Sequence, residues 1–325
     1  MAEVIHRDRV LKAPFPWFGG KSRAASMIWS RLGDVKNYVE PFFGSGAVML
    51  GRPNVDLDDL PLETVNDADG FVANFWRAVA HDPEAVAHYA DNPVNENDLH
   101  ARHSHLVNLR PSFVPRLEGD PDFYDAKIAG WWCWGICCWI GSGWCSGNGP
   151  WNVVDGKLIH LGDKGQGVNR QRAPITDWML SLSDRLRRVR VCCGDWSRVC
   201  GPTPTVKQGL TGVVLDPPYS TDERTAGLYA HDDGTVADKC REWALQWGDD
   251  PRMRIVLCGY DTEHEMPGWV AVPWTAHGGY SSEAKGGDNG NKHREVLWFS
   301  PHCMEDADPA QATLFEHDAM NPREG

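Results

Sequence analysis

Short apolar runs, each closed by a polar or acidic residue, recur along the chain. "NYVEPFFGSGAVML" (37–50) predicts a strand, a glycine turn and the start of a helix. "ETVNDADGFVANFWRAVA" (63–80) repeats that order with an acidic turn. "RVRVCCGDW" (188–196), "LTGVVLDPPY" (210–219), "MRIVLCGYD" (253–261) and "HREVLWFS" (293–300) each predict a buried strand ending at polar residues. "VADKCREWALQWG" (236–248) has helical spacing, and "DRLRRVRV" (184–191) reads as a helix end leading into a strand. Strands alternating with helices predict an α/β fold with a mostly parallel sheet covered on both faces.

Residues 81–175 break this rhythm. They are rich in His, Asn, Pro and Trp and predict an inserted, mainly helical subdomain. It ends in a hairpin-like segment, "GNGPWNVVDGKLIHL" (147–161), where Asp155-Gly156 suits a two-residue turn between extended runs. The sheet is then built from 1–80 and 176–300, and 301–325 is an acidic tail expected to be loose. Trp131, Trp134, Cys138 and Trp139 fall near helical spacing, which predicts a packed apolar helix. The cysteine spacing there, C-x3-C-C-x6-C, fits no usual zinc site, and no metal is expected.

A chain of 325 residues is ample for a real core. Its net charge of −13 excludes a protein held to nucleic acid by overall charge, so any DNA contact must use a local basic surface. The N-terminus has no apolar signal-peptide core, and no apolar run is long enough to span a bilayer. Ten scattered cysteines suggest reduced thiols and a cytoplasmic setting, with no membrane partner.

In an open α/β sheet, ligands sit beyond the carboxyl ends of the strands. The polar strand ends are Glu40, Asp67, Asp195, Asp216 and Asp261. Acids gathered on one rim suit hydroxyls, an amine or a cationic centre and would repel a phosphate. Gly44 and Gly46 allow close backbone approach, and Asp67 follows some twenty residues later. The third glycine of the dinucleotide fingerprint and the Gly-Lys-Ser/Thr of a P-loop are absent. A nucleoside without a phosphate fits best. Asp216-Pro217-Pro218-Tyr219 then offers a carboxylate, carbonyls held rigidly by proline, and a flat aromatic face. That set suits a planar base with an exocyclic amino group, and the competing structural reading is a proline-rich turn.

"PWFGGK" (16–21), "VEPFFGSG" (39–46), "VNDAD" (65–69) and "LDPPY" (215–219), in this order, resemble the Dam-like (D12 class) DNA adenine-N6 methyltransferases. The resemblance runs from about Pro14 to Pro301. It implies a Rossmann-like methyltransferase sheet with an inserted target-recognition subdomain, S-adenosyl-L-methionine as cofactor and double-stranded DNA as partner. By it, Trp17, Gly20 and Lys21 match the N-terminal cofactor motif, and Glu40, Phe42, Gly44 and Gly46 match the glycine-loop motif. Asp67 matches the acid on the cofactor ribose, while Asp195 and Trp196 match, more loosely, the contact to its adenine. Asp216, Pro217, Pro218 and Tyr219 match the catalytic motif, with Asp216 also bordering the cofactor. "GSGWCSG" departs from the family, which usually carries an Arg early in its hairpin, and this leaves the target sequence open.

The resemblance implies methyl transfer to an adenine amino group presented by base flipping. Two loops supply candidate DNA-backbone arms: Lys164, Arg170 and Arg172 in one, Lys292, His293 and Arg294 in the other. Solvated loops are the competing reading of both. A catalytically silent DNA-binding protein is the first alternative. Transfer to cytosine N4, RNA adenine or a protein glutamine is the second, and a larger group placed on adenine the third. Monomer and weak dimer are both compatible with the chain.

Overall fold

Four-to-eight-residue segments form the strands, and in the central strands of the main sheet alternating side chains bury on two opposite faces. In order, the strands are β1 (Asn37–Glu40), β2 (Leu62–Asp67), β3 (Trp151–Val154), β4 (Lys157–His160), β5 (Val189–Cys193), β6 (Thr211–Leu215), β7 (Met253–Tyr260), β8 (Val270–Trp274) and β9 (Glu295–Phe299). The helices are α1 (Ala25–Leu32), α2 (Ala47–Leu50), α3 (Gly70–His81), α4 (Pro83–Ala90), α5 (Glu96–Gly119), α6 (Ala126–Cys138), α7 (Ile175–Leu186) and α8 (Val236–Trp247). The computed structural model describes residues 11–17, 19–53, 61–120, 122–139, 144–145, 174–218, 235–274 and 295–305, and gives 151–154 and 157–160 as backbone strands.

The main sheet has seven strands in the order β5-β2-β1-β6-β7-β9-β8. The first five run parallel, whereas β9 is antiparallel to both β7 and β8. Val214, Val256 and Leu297 point to the face covered by α1 and α3. Their chain neighbours Val213, Leu215, Ile255, Leu257 and Trp298 point to the face covered by α8. This two-residue period with both faces buried is the mixed α/β arrangement expected of a Rossmann-like methyltransferase sheet.

Side-chain caps set where the middle helices begin. Asp69, Asp82, Asn95 and Asp125 each accept a backbone N–H at the start of α3, α4, α5 and α6. The apolar helix expected around Trp131–Trp139 is α6: Trp132, Trp134 and Trp139 are buried, and Trp131 is half-exposed. α4 and α6 pack against α3 and α7, and their buried side chains join the cluster on the α1 face of the sheet. β3 and β4 pair antiparallel with Val154 opposite Lys157. Asp155 and Gly156 between them, the loops holding Lys164, Arg170, Arg172, Lys292, His293 and Arg294, Tyr219, and residues 306–325 lie outside the described residues.

Two elements have no counterpart in the sequence reading. α1 follows "FGGKSRAA", where glycines mask the helical spacing of Ile28, Trp29 and Leu32. β8 contains Pro273 and exposes Val270, so it reads poorly as a strand; it lies at the sheet edge, where a missing N–H is tolerated. No helix among the described residues is long and apolar enough to cross a membrane.

A buried ion cluster anchors the start of β2. Arg185 of α7 donates to Glu63 from Nη1 at 2.5 Å and Nη2 at 2.9 Å, and Arg52 Nη1 adds a contact at 3.2 Å. Breaking one partner of such a pair leaves a buried charge poorly compensated. Arg185→Met is expected to lower the unfolding free energy by about 3 kcal/mol, read by urea denaturation. A loss near zero would show that Arg52 alone satisfies Glu63.

Candidate active site

β1 delivers the chain to a glycine turn at the rim of the sheet. Gly44 and Gly46 hold φ of 47° and 69°, values that side chains with a Cβ rarely adopt. The Trp17 indole lies so close to Gly44 that a Cβ there would collide with it. The turn is fixed on three sides. Trp76 Nε1 donates to the Gly44 carbonyl at 2.9 Å, Gly44 N donates to Asp67 Oδ2 at 2.8 Å, and Phe43 N donates to the Asn66 carbonyl at 2.9 Å. Asn66 Nδ2 also donates to the carbonyls of Pro41 and Gly194, tying the loops after β1 and β5 to the end of β2.

Asp67 is part-buried at the end of β2, and its other oxygen accepts Asp69 N at 2.8 Å. Burial pushes its carboxyl up to about 7, against the opposing pull of those two N–H groups. Asp195, exposed after β5, accepts the N–H and hydroxyl of Ser197 and so caps the short 3-10 turn Trp196–Val199. Trp196 is nearly buried and stacks on half-exposed Phe42, with ring centroids 6.2 Å apart. Asp261 is exposed just after β7.

Glu40 ends β1 and turns inward. It is 4% exposed, accepts the Tyr38 hydroxyl at 2.8 Å, and also receives the N–H of Met49 in α2. Burial pushes its carboxyl up to about 8. Its contacts brace the glycine turn from beneath.

The central feature is Lys21, which is almost fully buried. Gly19, with φ of 65°, offers its carbonyl to Lys21 Nζ at 2.7 Å, and Asp216 Oδ1 accepts from the same nitrogen at 2.9 Å. Glu295 Oε2 stands 3.7 Å away, and the Trp274 ring lies 5.4 Å below the ammonium. Burial alone would lower the pKa of Lys21. Asp216 and Glu295 outweigh it and hold the ammonium well above its usual value. Asp216 keeps 22% of its side chain exposed, so the ion pair leaves it reachable from solvent. Pro217 behind it is buried, and Pro218 is half-buried.

The rim therefore brings together Trp17, Gly20, Lys21, Gly44, Gly46, Asp67 and Asp216, with Phe42, Trp196 and Asp195 toward the β5 side. Three of its residues escaped the sequence reading: Glu295, Trp274 and Asn66. Glu295 opens its strand, and only the antiparallel direction of β9 brings that opening to the end of β7, opposite Tyr260.

Residues 17–124 match the family model described as D12 class N6 adenine-specific DNA methyltransferase. The chain is also 23% identical over 308 residues to proteins named DNA adenine methylase from two strains of Vibrio cholerae serotype O1, covering 91% of this chain and 99% of each relative.

Because the raised carboxyl of Glu40 binds a proton in the fold that it loses in the unfolded chain, its stabilising effect is complete below about pH 4.5 and disappears as pH rises through about 8. Glu40→Gln, which cannot ionise, should match the parent at pH 5 and melt at a higher temperature at pH 9. Equal melting at both pH values would place the ionised carboxylate in the fold.

The motifs of the glycine turn, the acid of β2 and the carboxylate after β6 meet on one rim of the expected sheet, and residues 17–124, which carry the first two of them, are similar to the D12 class of N6 adenine-specific DNA methyltransferases.

Proposed function

We propose that the protein transfers a methyl group from S-adenosyl-L-methionine to the N6 amino group of an adenine turned out of duplex DNA. The observation that carries this reading is the part-exposed Asp216 carboxylate at the end of the central strand β6. It stands beside the glycine turn of β1 and is held by a buried lysine.

The residues of the rim fit such a cofactor. Gly44 and Gly46 leave a side-chain-free cradle, Asp67 supplies a carboxylate for ribose hydroxyls, and the open face of Phe42 suits an adenine ring. When bound, the cofactor supplies an electrophilic methyl carbon on a sulfonium. Asp67 and the turn fix its orientation, and Trp17 closes the turn from above.

An exocyclic amino nitrogen is a weak nucleophile because its lone pair is delocalised into the ring. Asp216 and the Pro217 carbonyl would each accept one of its N–H groups, drawing the nitrogen toward tetrahedral geometry and freeing the pair. Asp216 would then stabilise the positive charge that develops on that nitrogen. Lys21 occupies Oδ1 and so directs the remaining acceptor capacity of Asp216 toward the base. Tyr219, the next residue after Pro218, would replace stacking lost on extrusion, worth about 1–3 kcal/mol. The inserted helices and the β3–β4 hairpin form the target-recognition part in this reading, and the arginine and lysine loops reach the DNA backbone.

Asp216→Ala should abolish methyl transfer by the folded protein and, because it removes the nearest carboxylate of buried Lys21, should also lower the thermal unfolding temperature. Tritium transfer from labelled S-adenosylmethionine to duplex DNA measures this, and retained transfer would remove Asp216 from the chemistry. A second expectation concerns pH. Hydroxyl groups bind the ionised form of Asp67, so cofactor affinity should fall by up to about tenfold per pH unit below pH 7, read by calorimetry. An affinity unchanged between pH 5.5 and pH 8 would separate Asp67 from the ribose.

A further inference from the structure

We infer that Arg110 of α5 is a positioning residue for the cofactor: it grips Asp69 and balances its charge, and Asp69 in turn holds Asp67. This rests on the reading of Asp67 as the acid on the cofactor ribose. It extends the cofactor site to a helix that no motif marks.

The contact is a two-pronged fork. Arg110 Nη1 donates to Asp69 Oδ1 at 3.2 Å, and Nη2 donates to Oδ2 at 3.3 Å. A guanidinium matched to both oxygens of a carboxylate fixes orientation as well as distance. The fork itself rests on packed side chains. The Arg110 guanidinium lies 4.6 Å from the Phe71 ring centroid, Phe71 meets Phe113 at 5.5 Å, and Val114 fills the space over Gly70. This stretch of α5 is therefore seated on the start of α3, and both members of the pair are part-buried.

From Asp69 the hold passes to Asp67. Asp69 Oδ1 also accepts the N–H of Phe71 at 2.9 Å, which caps α3. Its own N–H donates to Asp67 Oδ1 at 2.8 Å. With its carboxylate gripped by α5 on one side and by the helix start on the other, Asp69 has its N–H orientation set. Gly44 N holds the second oxygen of Asp67 at 2.8 Å. Asp67 is thus placed between the glycine turn and a residue that α5 pins.

The fork also sets charge. Burial pushes the Asp67 carboxyl up to about 7, and the negative charge of Asp69 pushes it the same way. The Arg110 cation opposes that push. The other groups near these acids are neutral or offset each other. Cys193 of β5 stands opposite Asp67, with its thiol raised by burial to about 12, and Arg77 and Glu118 act on that thiol with opposite signs. The buried Cys145 thiol, which faces the Asp69–Arg110 pair, is held well above its usual value and carries no charge. The balance between Asp69 and Arg110 therefore governs how much of Asp67 is ionised near neutrality, and the ionised form is the one that accepts ribose hydroxyls.

The test is calorimetric titration of the full chain with S-adenosyl-L-methionine, without DNA, across a pH series. In the parent, affinity should fall below a midpoint near pH 7. Arg110→Gln should move that midpoint up by as much as about one pH unit. Binding would then weaken by up to about fivefold at pH 7 and stay nearly unchanged two units higher. Arg110→Lys, which keeps the charge, should return the midpoint close to the parent's. Asp69→Asn, which keeps an oxygen for the α3 cap, should move it down. A contact that served packing alone would lower affinity by the same factor at every pH, and that result, or a parent-like curve in Arg110→Gln, would overturn this inference alone. If Arg110→Gln fails to fold, an unmoved midpoint in Asp69→Asn overturns it equally. A parent whose affinity does not change with pH would overturn the ribose reading of Asp67 with it.

Discussion

A buried ammonium holds one corner of the sheet's rim in register. Removing a charge of that size from water costs several kcal/mol, and the cost is offset only where carboxylates stand close and fixed. Lys21 meets that condition by drawing Asp216 and Glu295 to itself and by donating to the Gly19 carbonyl. Three distant parts of the chain therefore converge: the turn before α1, the end of β6 and the start of β9. Losing any of the three would strand a charge, so the orientation of Asp216 is a property of the whole rim rather than of its own loop.

The same logic extends outward. Asp67 is held by two backbone N–H groups, Asn66 stitches two loops to the end of β2, and Glu40 braces the glycine turn from the core side. Each group that would face a ligand has its free torsions removed by a neighbour that does not. Such an arrangement lowers the reorganisation needed when charge develops at the rim. The two carboxyls shifted upward by burial, Glu40 and Asp67, differ in consequence. One is sealed in the core and affects stability, while the other is part-exposed and affects what it can bind.

An acidic chain must confine its positive charge if it is to meet DNA in the proposed way. Among the described residues of α5 and α6, cations lie against aromatic rings. The high tryptophan content, 16 residues, serves two purposes in the α5–α6 region. Trp132, Trp134 and Trp139 fill the core, and Trp131 remains at the surface as a platform for Lys127, Arg102 and His105. One apolar stripe thus builds the subdomain and displays its charge.

The sequence by itself determined the parallel part of the sheet, the glycine turn, the acids at the strand ends and the order of the motifs. These depend on local periodicity and on short-range chemistry, which a linear string carries. It also pointed to an apolar helix around Trp131–Trp139, because the spacing of those residues is local. What only the tertiary structure decided are facts of direction and partnership. The antiparallel run of β9 brings Glu295 to the rim, a consequence of pairing that no run of residues encodes by itself. Lys21, read as part of a cofactor motif, has Asp216 as its nearest carboxylate, 195 positions away. Glu40, read as a rim acid like Asp67, turns inward because Tyr38 and Met49 offer hydrogen bonds in the core. In each case the backbone position was legible, whereas the side chain's direction was set by groups that meet only when the chain is folded.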